Sequence, residues 1–122
     1  MVAIHSLATS GNTDDALAAL DIALREIPAA ASMIFAFYDC DHDDSRLRVF
    51  IRDRFPQASL LGGTSCAGVM TDKGVFNDGG IGLLVIDDPD GDFGVAAAPC
   101  GDDPEATAET LIRQALSASD CP

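Results

Sequence analysis

The sequence carries little positive charge. Its 122 residues include 7 lysines and arginines against 20 aspartates and glutamates, a formal net charge of −13. Nucleic acids and anionic membranes bind proteins through basic faces, so this balance disfavours both as partners. Most of the positive charge lies in one predicted helix, residues 45–55, where nearby aspartates are expected to pair with it. The acidity otherwise indicates solubility, or a surface suited to high salt.

Long apolar segments are also missing. No run approaches the roughly 18–20 residues that a membrane-spanning helix needs. Residues 1–5 contain no basic region of the kind that opens a secretory signal. We therefore expect a cytoplasmic protein. Since 48% of the residues are hydrophobic, we expect residues 1–122 to form a single folded α/β domain with a core of its own.

Spacings typical of metal and cofactor sites are absent as well. The two histidines and four cysteines include no C-x-x-C pair, so no zinc or other metal site is predicted. Residues 62–68 match neither of the nucleotide-binding motifs G-x-x-x-x-G-K-[ST] and G-x-G-x-x-G, and we predict no cofactor. We expect free thiols rather than disulfides, as is usual in cytosolic proteins, at Cys40, Cys66, Cys100 and Cys121.

What the sequence does contain is an alternation of strand-like and helix-like segments. Apolar runs predict buried strands at residues 2–8, 31–38, 58–62 and 81–86. Helical spacing of apolar residues predicts helices at 14–27 and 45–55, with Thr13 and Ser45 as their N-caps, and a third helix beginning at Pro104. An acidic turn at 87–92 and a return strand at 93–98 predict a β-hairpin with residues 81–86.

These elements predict an α/β fold with a mostly parallel sheet, in the order β-α-β-α-β, then a β-hairpin and a C-terminal helix. Parallel strands bring their carboxyl ends to one edge of the sheet, where open α/β sheets bind ligands. Residues 9–13, 39–42 and 63–68 are predicted to meet there around a small molecule. The candidate ligand-binding residues are Ser10, Asn12, Asp39, Gly63, Thr64, Ser65, Cys66 and Gly68.

The chemistry of the glycine-rich segment favours binding over catalysis. Ser65 or Cys66 could act as a nucleophile only with a base in reach, and His42 is the histidine that follows the second strand. A small, semi-buried Cys66 is the simpler interpretation, so no catalytic residue is predicted. The acidic run 39–44 could bind a hard cation, but it lacks the glycine and closing glutamate of an EF-hand loop, and a solvated loop is favoured.

Residues 63–70, Gly-Thr-Ser-Cys-Ala-Gly-Val-Met, resemble a segment of the N-terminal FIST domain, a sensory module of bacteria and eukaryotes. The family segment reads Gly-Cys-Ser-Thr-Ala-Gly-Glu-Ile. Val69 replaces its glutamate, and the remaining differences are between residues of similar size. The early strand before an alanine-rich helix and the strand after Gly79-Gly80 also fit the family. The matching positions are Gly63, Ser65, Ala67 and Gly68.

The resemblance implies a shortened signal-input domain that binds small molecules such as amino acids, has no catalytic machinery, and works with a C-terminal FIST or signalling domain. A pocket completed by further chain would be incomplete here. Asp39 or Asp41 could then meet an ammonium group, and backbone amides of residues 63–68 a carboxylate.

Two alternatives to a sensory module stay open. One is a structural or protein-interaction domain that forms homo-oligomers through the edge of the hairpin. The other is a small hydrolase or transferase that uses Ser65 or Cys66 as its nucleophile. An activity lost on substitution of either residue would favour the second.

Overall fold

A computed structural model of the chain describes residues 2–119. The chain forms two compact units, one ending at Pro89 and the other starting at Asp90. The first unit contains β1 (Ala3–Thr9), α1 (Thr13–Ala23), a 3-10 turn (Leu24–Glu26), β2 (Met33–Tyr38), α2 (Asp44–Arg54), β3 (Ser59–Thr64), β4 (Val69–Thr71), β5 (Gly74–Phe76) and β6 (Ile81–Asp87), and the second contains α3 (Pro104–Ala118). The predicted β-α-β-α-β order and the C-terminal helix are confirmed. None of the helices in this described part is both long and apolar enough to cross a bilayer.

The main sheet is mixed, with the strand order β1-β6-β2-β3. β6 runs antiparallel to both β1 and β2, and only β2 and β3 form a parallel pair. The prediction of a mostly parallel sheet is therefore wrong. The chain returns through β4 and β5 to the edge where β3 ends, so β6 enters the sheet from that edge and runs in the opposite direction.

The strands β1, β2 and β3 nevertheless point the same way, because β1 and β2 are both antiparallel to β6. Thr9 and Tyr38 both pair with Ile81, and Tyr38 also pairs with Thr64. The carboxyl ends of the first three strands and the start of β6 therefore share one side of the sheet, which we call the carboxyl edge. Although the sheet is mixed, the carboxyl ends of β1, β2 and β3 lie together, as the predicted site requires.

The hairpin lies at a different place from the predicted one. Residues 69–76 form it, with Thr71 paired to Gly74 across a two-residue turn. The predicted hairpin of residues 81–86 with 93–98 is wrong, and residues 93–98 form no regular strand. β6 already has β1 and β2 at its two sides, and alanine and glycine, which dominate 93–98, have little preference for strands.

The core lies on the face of the sheet that α1 and α2 cover. Strand side chains alternate between the two faces, so Ile34 and Ala36 of β2 lie on the same face as Leu83 and Val85 of β6, with which they pair. The buried apolar residues of this face and its helices include Ala16, Leu20, Leu24, Ile34, Ala36, Leu47, Ile51, Phe55, Ile81, Leu83 and Val85. On the opposite face, Ile4, Phe37 and Leu61 are exposed, with 62%, 48% and 46% of their surface accessible.

The N-caps of both helices differ from the predicted residues. The side-chain oxygen of Asn12 accepts from the Asp15 N–H at 2.9 Å, and Asp43 accepts from the Arg46 N–H at 3.2 Å. Asparagine and aspartate cap helices better than threonine does, and the Thr13 hydroxyl has another partner, described below for the candidate site. The first α-helix also ends at Ala23, before the predicted residue 27, and continues as the 3-10 turn.

The arginines of α2 make bonds within the molecule, as expected from the acidic surroundings. Arg46 pairs with Asp14 of α1 at 2.5 Å. Arg52 donates to the Ala58 carbonyl at 3.0 Å. Arg54 donates to two carbonyls at the end of the first helical segment, those of Leu24 and Ile27. These bonds fasten α2 to its neighbours and leave less of its charge for an anionic partner.

Candidate functional site

A cleft of about 980 Å³ opens at the carboxyl edge of the sheet, and we call it the edge cleft. It receives residues from all three predicted segments, 9–13, 39–42 and 63–68. A fourth segment, residues 77–79, also lines it. The lining residues are Gly11, Asn12, Thr13, Asp39, Cys40, Asp41, His42, Cys66, Ala67, Asn77, Asp78 and Gly79.

The contribution of residues 77–79 to the cleft was not predicted. Their Asn-Asp-Gly composition is typical of a turn, and the strand that follows them was predicted only to form a hairpin with residues 93–98. Because β6 inserts between β1 and β2, its leading loop reaches the same edge as the loops that follow those strands. The strand order, which the sequence pattern did not reveal, therefore adds the fourth segment.

Backbone hydrogen bonds join the four segments to one another. Each bond links residues from two different loops or strand ends. The position of each segment is therefore fixed by bonds to other parts of the edge as well as by its own turn. The bonds run from the N–H of Gly11 to the C=O of Asp78 (3.1 Å), Asp39 to Gly80 (2.8 Å), Cys40 to Cys66 (3.0 Å) and Ser65 to Tyr38 (2.8 Å).

Asp39 is the most buried charged residue of the cleft, with 6% of its surface exposed. Its two carboxylate oxygens accept the N–H groups of Asp41 and Gly79, each at 2.9 Å. These bonds, that of Asp41 first, hold the pKa of the Asp39 carboxyl below its ordinary value of 3.8. The lowered pKa keeps Asp39 ionised at neutral pH. A carboxylate offers about four acceptor positions, so these two bonds leave room for a further donor.

His42 connects three segments of the cleft and is 8% exposed. Its Nε2 lies 2.7 Å from the Gly79 carbonyl oxygen, and its Nδ1 lies 2.8 Å from the Thr13 hydroxyl. A carbonyl can only accept, so Nε2 carries a proton and donates it to Gly79, while Nδ1 shares the second hydrogen bond with the Thr13 hydroxyl. Both ring nitrogens are engaged, which leaves neither directed at Ser65 or Cys66 as a base.

Gly79 allows the fourth segment to lie directly against the first. Its φ is +86°, and a Cβ at this position would lie 2.0 Å from the carbonyl oxygen of Gly11. Any side chain would push the two loops apart and break the neighbouring bonds of Asp39 and His42 to Gly79. The shape of the edge cleft therefore depends on glycine at this position.

The predicted ligand-binding residues do not all reach the same place. Asn12, Asp39 and Cys66 line the edge cleft. Ser65 and Gly68 line a second groove, of about 330 Å³, beside β4 and β6. Ser65 directly follows β3, whereas Cys66 lies in the turn after it with a φ of +69°, and the two residues therefore line different cavities. The residues that line neither of these two cavities are Ser10, Gly63 and Thr64.

The two candidate nucleophiles also differ in environment. The hydroxyl oxygen of Ser65 is buried and has no hydrogen-bond partner, so no base is positioned to activate it. Cys66 is exposed, with a φ of +69°. Cys40, Cys66 and Cys100 are free cysteines, and Cys121 lies outside the described residues.

Comparisons of the chain with protein-family models, with curated proteins and with solved structures give no match. The case for a site therefore rests on the geometry of the edge cleft and on the chemistry of its lining.

The charged side chains that line the cleft are all acidic. Asp39, Asp41 and Asp78 contribute carboxylates, and no lysine or arginine is among the lining residues. Three atoms lie within 4.8 Å of one another: a carboxylate oxygen of Asp39, the sulfur of Cys40 and a carboxylate oxygen of Asp41. Such groups can hold a cation, and exposed acidic groups are also common without one. The cleft attracts positively charged groups and repels free anions.

Proposed function

We propose that this protein is a cytoplasmic sensory module that binds a small ammonium-bearing molecule, with amino acids as the leading class, in the edge cleft. The observation that carries the proposal is the convergence of the three predicted loops on one cleft whose charged lining is entirely acidic. Hydrogen bonds join these loops to one another, so a bound ligand would not have to order them.

The ammonium group fits between Asp39 and Asp41. Their carboxylates approach within 4.8 Å, and an ammonium has three donors that can reach both. Asp39 is the stronger anchor, because its lowered pKa keeps it ionised and hydrogen bonds to ionised groups are about twice as strong as neutral ones. The exposed Asp41 is the more accessible of the two.

The carboxylate of an amino acid fits best near the start of α1. The N–H of Ser65 is already donated to Tyr38, so the glycine-rich segment is less able to hold an anion than expected. Asn12 and Thr13 line the cleft where α1 begins, and the first amides of a helix attract anions. An amino acid would then extend from Asp39 and Asp41 toward this helix.

Membership of the N-terminal FIST family is part of the same proposal. The segment that resembles the family, residues 63–70, runs from the end of β3 into β4. It supplies Cys66 and Ala67 to the edge cleft, which supports a role for it in ligand binding. A C-terminal FIST or signalling domain would be the expected partner.

A thermal-shift screen of amino acids and small metabolites tests the proposal. A ligand at 100 times its Kd stabilises the native state by about 2.7 kcal/mol, which raises Tm by on the order of 10 °C. For an amino acid that responds, the N-acetyl derivative should lose the response, because it lacks the ammonium. The methyl ester, which lacks the carboxylate, should keep part of it. A flat response to every compound from a folded sample would count decisively against the proposal.

Matched variants locate the site of binding. Asp41→Asn removes one carboxylate without changing the backbone N–H that Asp39 accepts, and we expect binding to weaken by about 10- to 100-fold, the usual value of a hydrogen bond to a charged group. The control is Asp53→Asn, an exposed residue of α2 outside the lining. Equal affinity in the two variants would place the ligand elsewhere.

A protein-interaction domain is the second candidate, and a separate observation favours it. The sheet face opposite α1 and α2 exposes Ile4, Phe37 and Leu61, and apolar side chains on one face commonly mark an interface. Solution mass measured over a range of protein concentrations distinguishes the two functions. Stable association without ligand, abolished by Phe37→Ser, would support the interaction domain.

A further inference from the structure

Two cysteines from different loops meet at the edge cleft. The N–H of Cys40, after β2, donates to the C=O of Cys66, after β3, at 3.0 Å. Both residues are exposed free cysteines, and both line the cleft. The proximity follows from the parallel pairing of β2 with β3, which a further bond from Ser65 to Tyr38 continues past the strand ends at 2.8 Å.

The backbone geometry suits a disulfide. Backbone bond lengths on either side of a single N–H···O=C bond place the two Cα atoms about 5–6 Å apart, and disulfides join Cα atoms about 4.4–6.8 Å apart. Cys66 also has a φ of +69°, a conformation that is uncommon for a residue with a side chain. The neighbouring bonds to Tyr38 and Cys40 hold this conformation in place.

We propose that Cys40 and Cys66 are a redox-active pair, which a peroxide oxidises to a disulfide that ties the loop after β2 to the loop after β3. The bond would cross one wall of the edge cleft. The pair is inferred from the backbone contact alone and does not depend on a ligand in the cleft.

The reaction balances with hydrogen peroxide as the oxidant. The sulfur of Cys66 attacks one peroxide oxygen, the O–O bond breaks, and a sulfenic acid and one water form. The sulfur of Cys40 then attacks the Cys66 sulfur, the S–O bond breaks, and the disulfide and a second water form. Two thiols and one peroxide therefore give one disulfide and two waters.

The order of attack follows from the surroundings of Cys40. Desolvation, followed by the nearby carboxylates of Asp41 and Asp39, raises the pKa of the Cys40 thiol above its ordinary value of 9.0. Since the thiolate is the nucleophile, Cys40 is a poor first attacker of a peroxide. In the second step Cys40 attacks a sulfur that the backbone contact holds next to it, and this proximity offsets its small thiolate fraction.

Peptide mapping tests the pair directly, because trypsin places each cysteine on a different peptide. Cleavage after lysine and arginine puts Cys40 in residues 26–46, Cys66 in 55–73, Cys100 in 74–113 and Cys121 in 114–122. The reduced protein is treated with equimolar hydrogen peroxide, alkylated and digested without reductant. We expect a monomer lighter by two hydrogen atoms, with peptide 26–46 linked to peptide 55–73.

Variants and a denatured control separate this pairing from chance oxidation. The double variant Cys100→Ser/Cys121→Ser should form the same link, and Cys66→Ser should form none between these loops. In concentrated urea the link should form at least about tenfold more slowly, because the backbone contact that positions the thiols is lost. Circular dichroism verifies that each variant is folded.

Three results would overturn the proposal. The first is a folded, peroxide-treated protein in which Cys40 and Cys66 are both still alkylated or are oxidised separately. The second is a link to Cys100 or Cys121, or between two molecules, in place of the expected one. Equal rates in native buffer and in urea would also contradict it, because they would show that the fold does not direct the pairing.

Discussion

The helix-covered face of the sheet and its carboxyl edge are stabilised in different ways. Under α1 and α2, side chains such as Leu20 and Ile34 are buried among other apolar groups. At the edge, Asp39 and His42 are also buried, but their partners are backbone groups and a hydroxyl at 2.7–2.9 Å. Apolar packing sets how stable the unit is, whereas the directional bonds set the shape of the cleft. Substitutions at each place should therefore have separable effects.

The largest loss is expected in the core. Leu20→Ala empties space under the sheet and should lower the free energy of unfolding by about 2–5 kcal/mol, measured by urea denaturation. Ile22→Ala, on the exposed side of the same helix, is the matched control, with 62% of Ile22 accessible against 1% of Leu20, and should change stability by about 0.5 kcal/mol or less. Similar losses in the two variants would contradict the assignment of the covered face.

The second effect concerns the histidine of the edge cleft. His42→Ala leaves the Thr13 hydroxyl and the Gly79 carbonyl without their partner, which should cost about 1–3 kcal/mol. Hydrogen exchange at the Gly79 amide, which Asp39 holds, should accelerate more than exchange in the core strands. His5→Ala on β1 serves as the control. If both histidine variants lose equal stability with uniform exchange, the histidine has no special role at the edge.

Lowering the pH should destabilise the carboxyl edge of the sheet, because it protonates the Asp39 carboxylate. Because the folded pKa of this carboxyl lies below its ordinary value of 3.8, its ionised form stabilises the native state above that pH, and the contribution is lost as pH falls through the folded pKa. Asp39→Asn should lower stability at neutral pH and flatten its dependence below about pH 4. Urea midpoints from pH 7 to pH 2 measure this. Asp53→Asn should keep the wild-type slope.

The smallest effect is expected at the surface. The pair between Arg46 and Asp14 spans two helices, but its side chains are 49% and 79% exposed. Asp14→Ala should therefore cost less than about 1 kcal/mol, and the loss should shrink in 1 M salt. Denaturation at two salt concentrations decides this. A larger loss of stability that does not depend on salt would mean that this ion pair is part of the hydrogen-bonded structure at the carboxyl edge.

Local sequence patterns predicted the elements better than their arrangement. The helical spacing of Leu20 and Leu24, and of Leu47 and Ile51, marked the buried sides of α1 and α2 correctly, because that spacing reflects one helix and one sheet face. The strand at 81–86 was also found. Its place between β1 and β2 was not, because strand order depends on contacts between segments far apart in the sequence.

The errors at the candidate site have physical causes of the same kind. The hairpin at 69–76 has strands of three residues each, which is too short for an alternating pattern to be visible. The segment around Ser65 and Cys66 was treated as one binding loop, but the chain turns at Cys66, where φ is +69°, and the two residues line different cavities. Asp39 and Asn12 were placed correctly because the direction of β1 and β2 alone determines where they lie.

The central position of β6 also bears on how the protein is made. In a nascent chain that has not yet reached residue 81, β2 can pair with β3, but β1 has no neighbour in the main sheet. The sheet closes only when β6 leaves the ribosome and inserts between strands synthesised much earlier, which is a slow, long-range step. The unfinished sheet therefore needs the protection of chaperones most during the time before residues 81–87 have been translated.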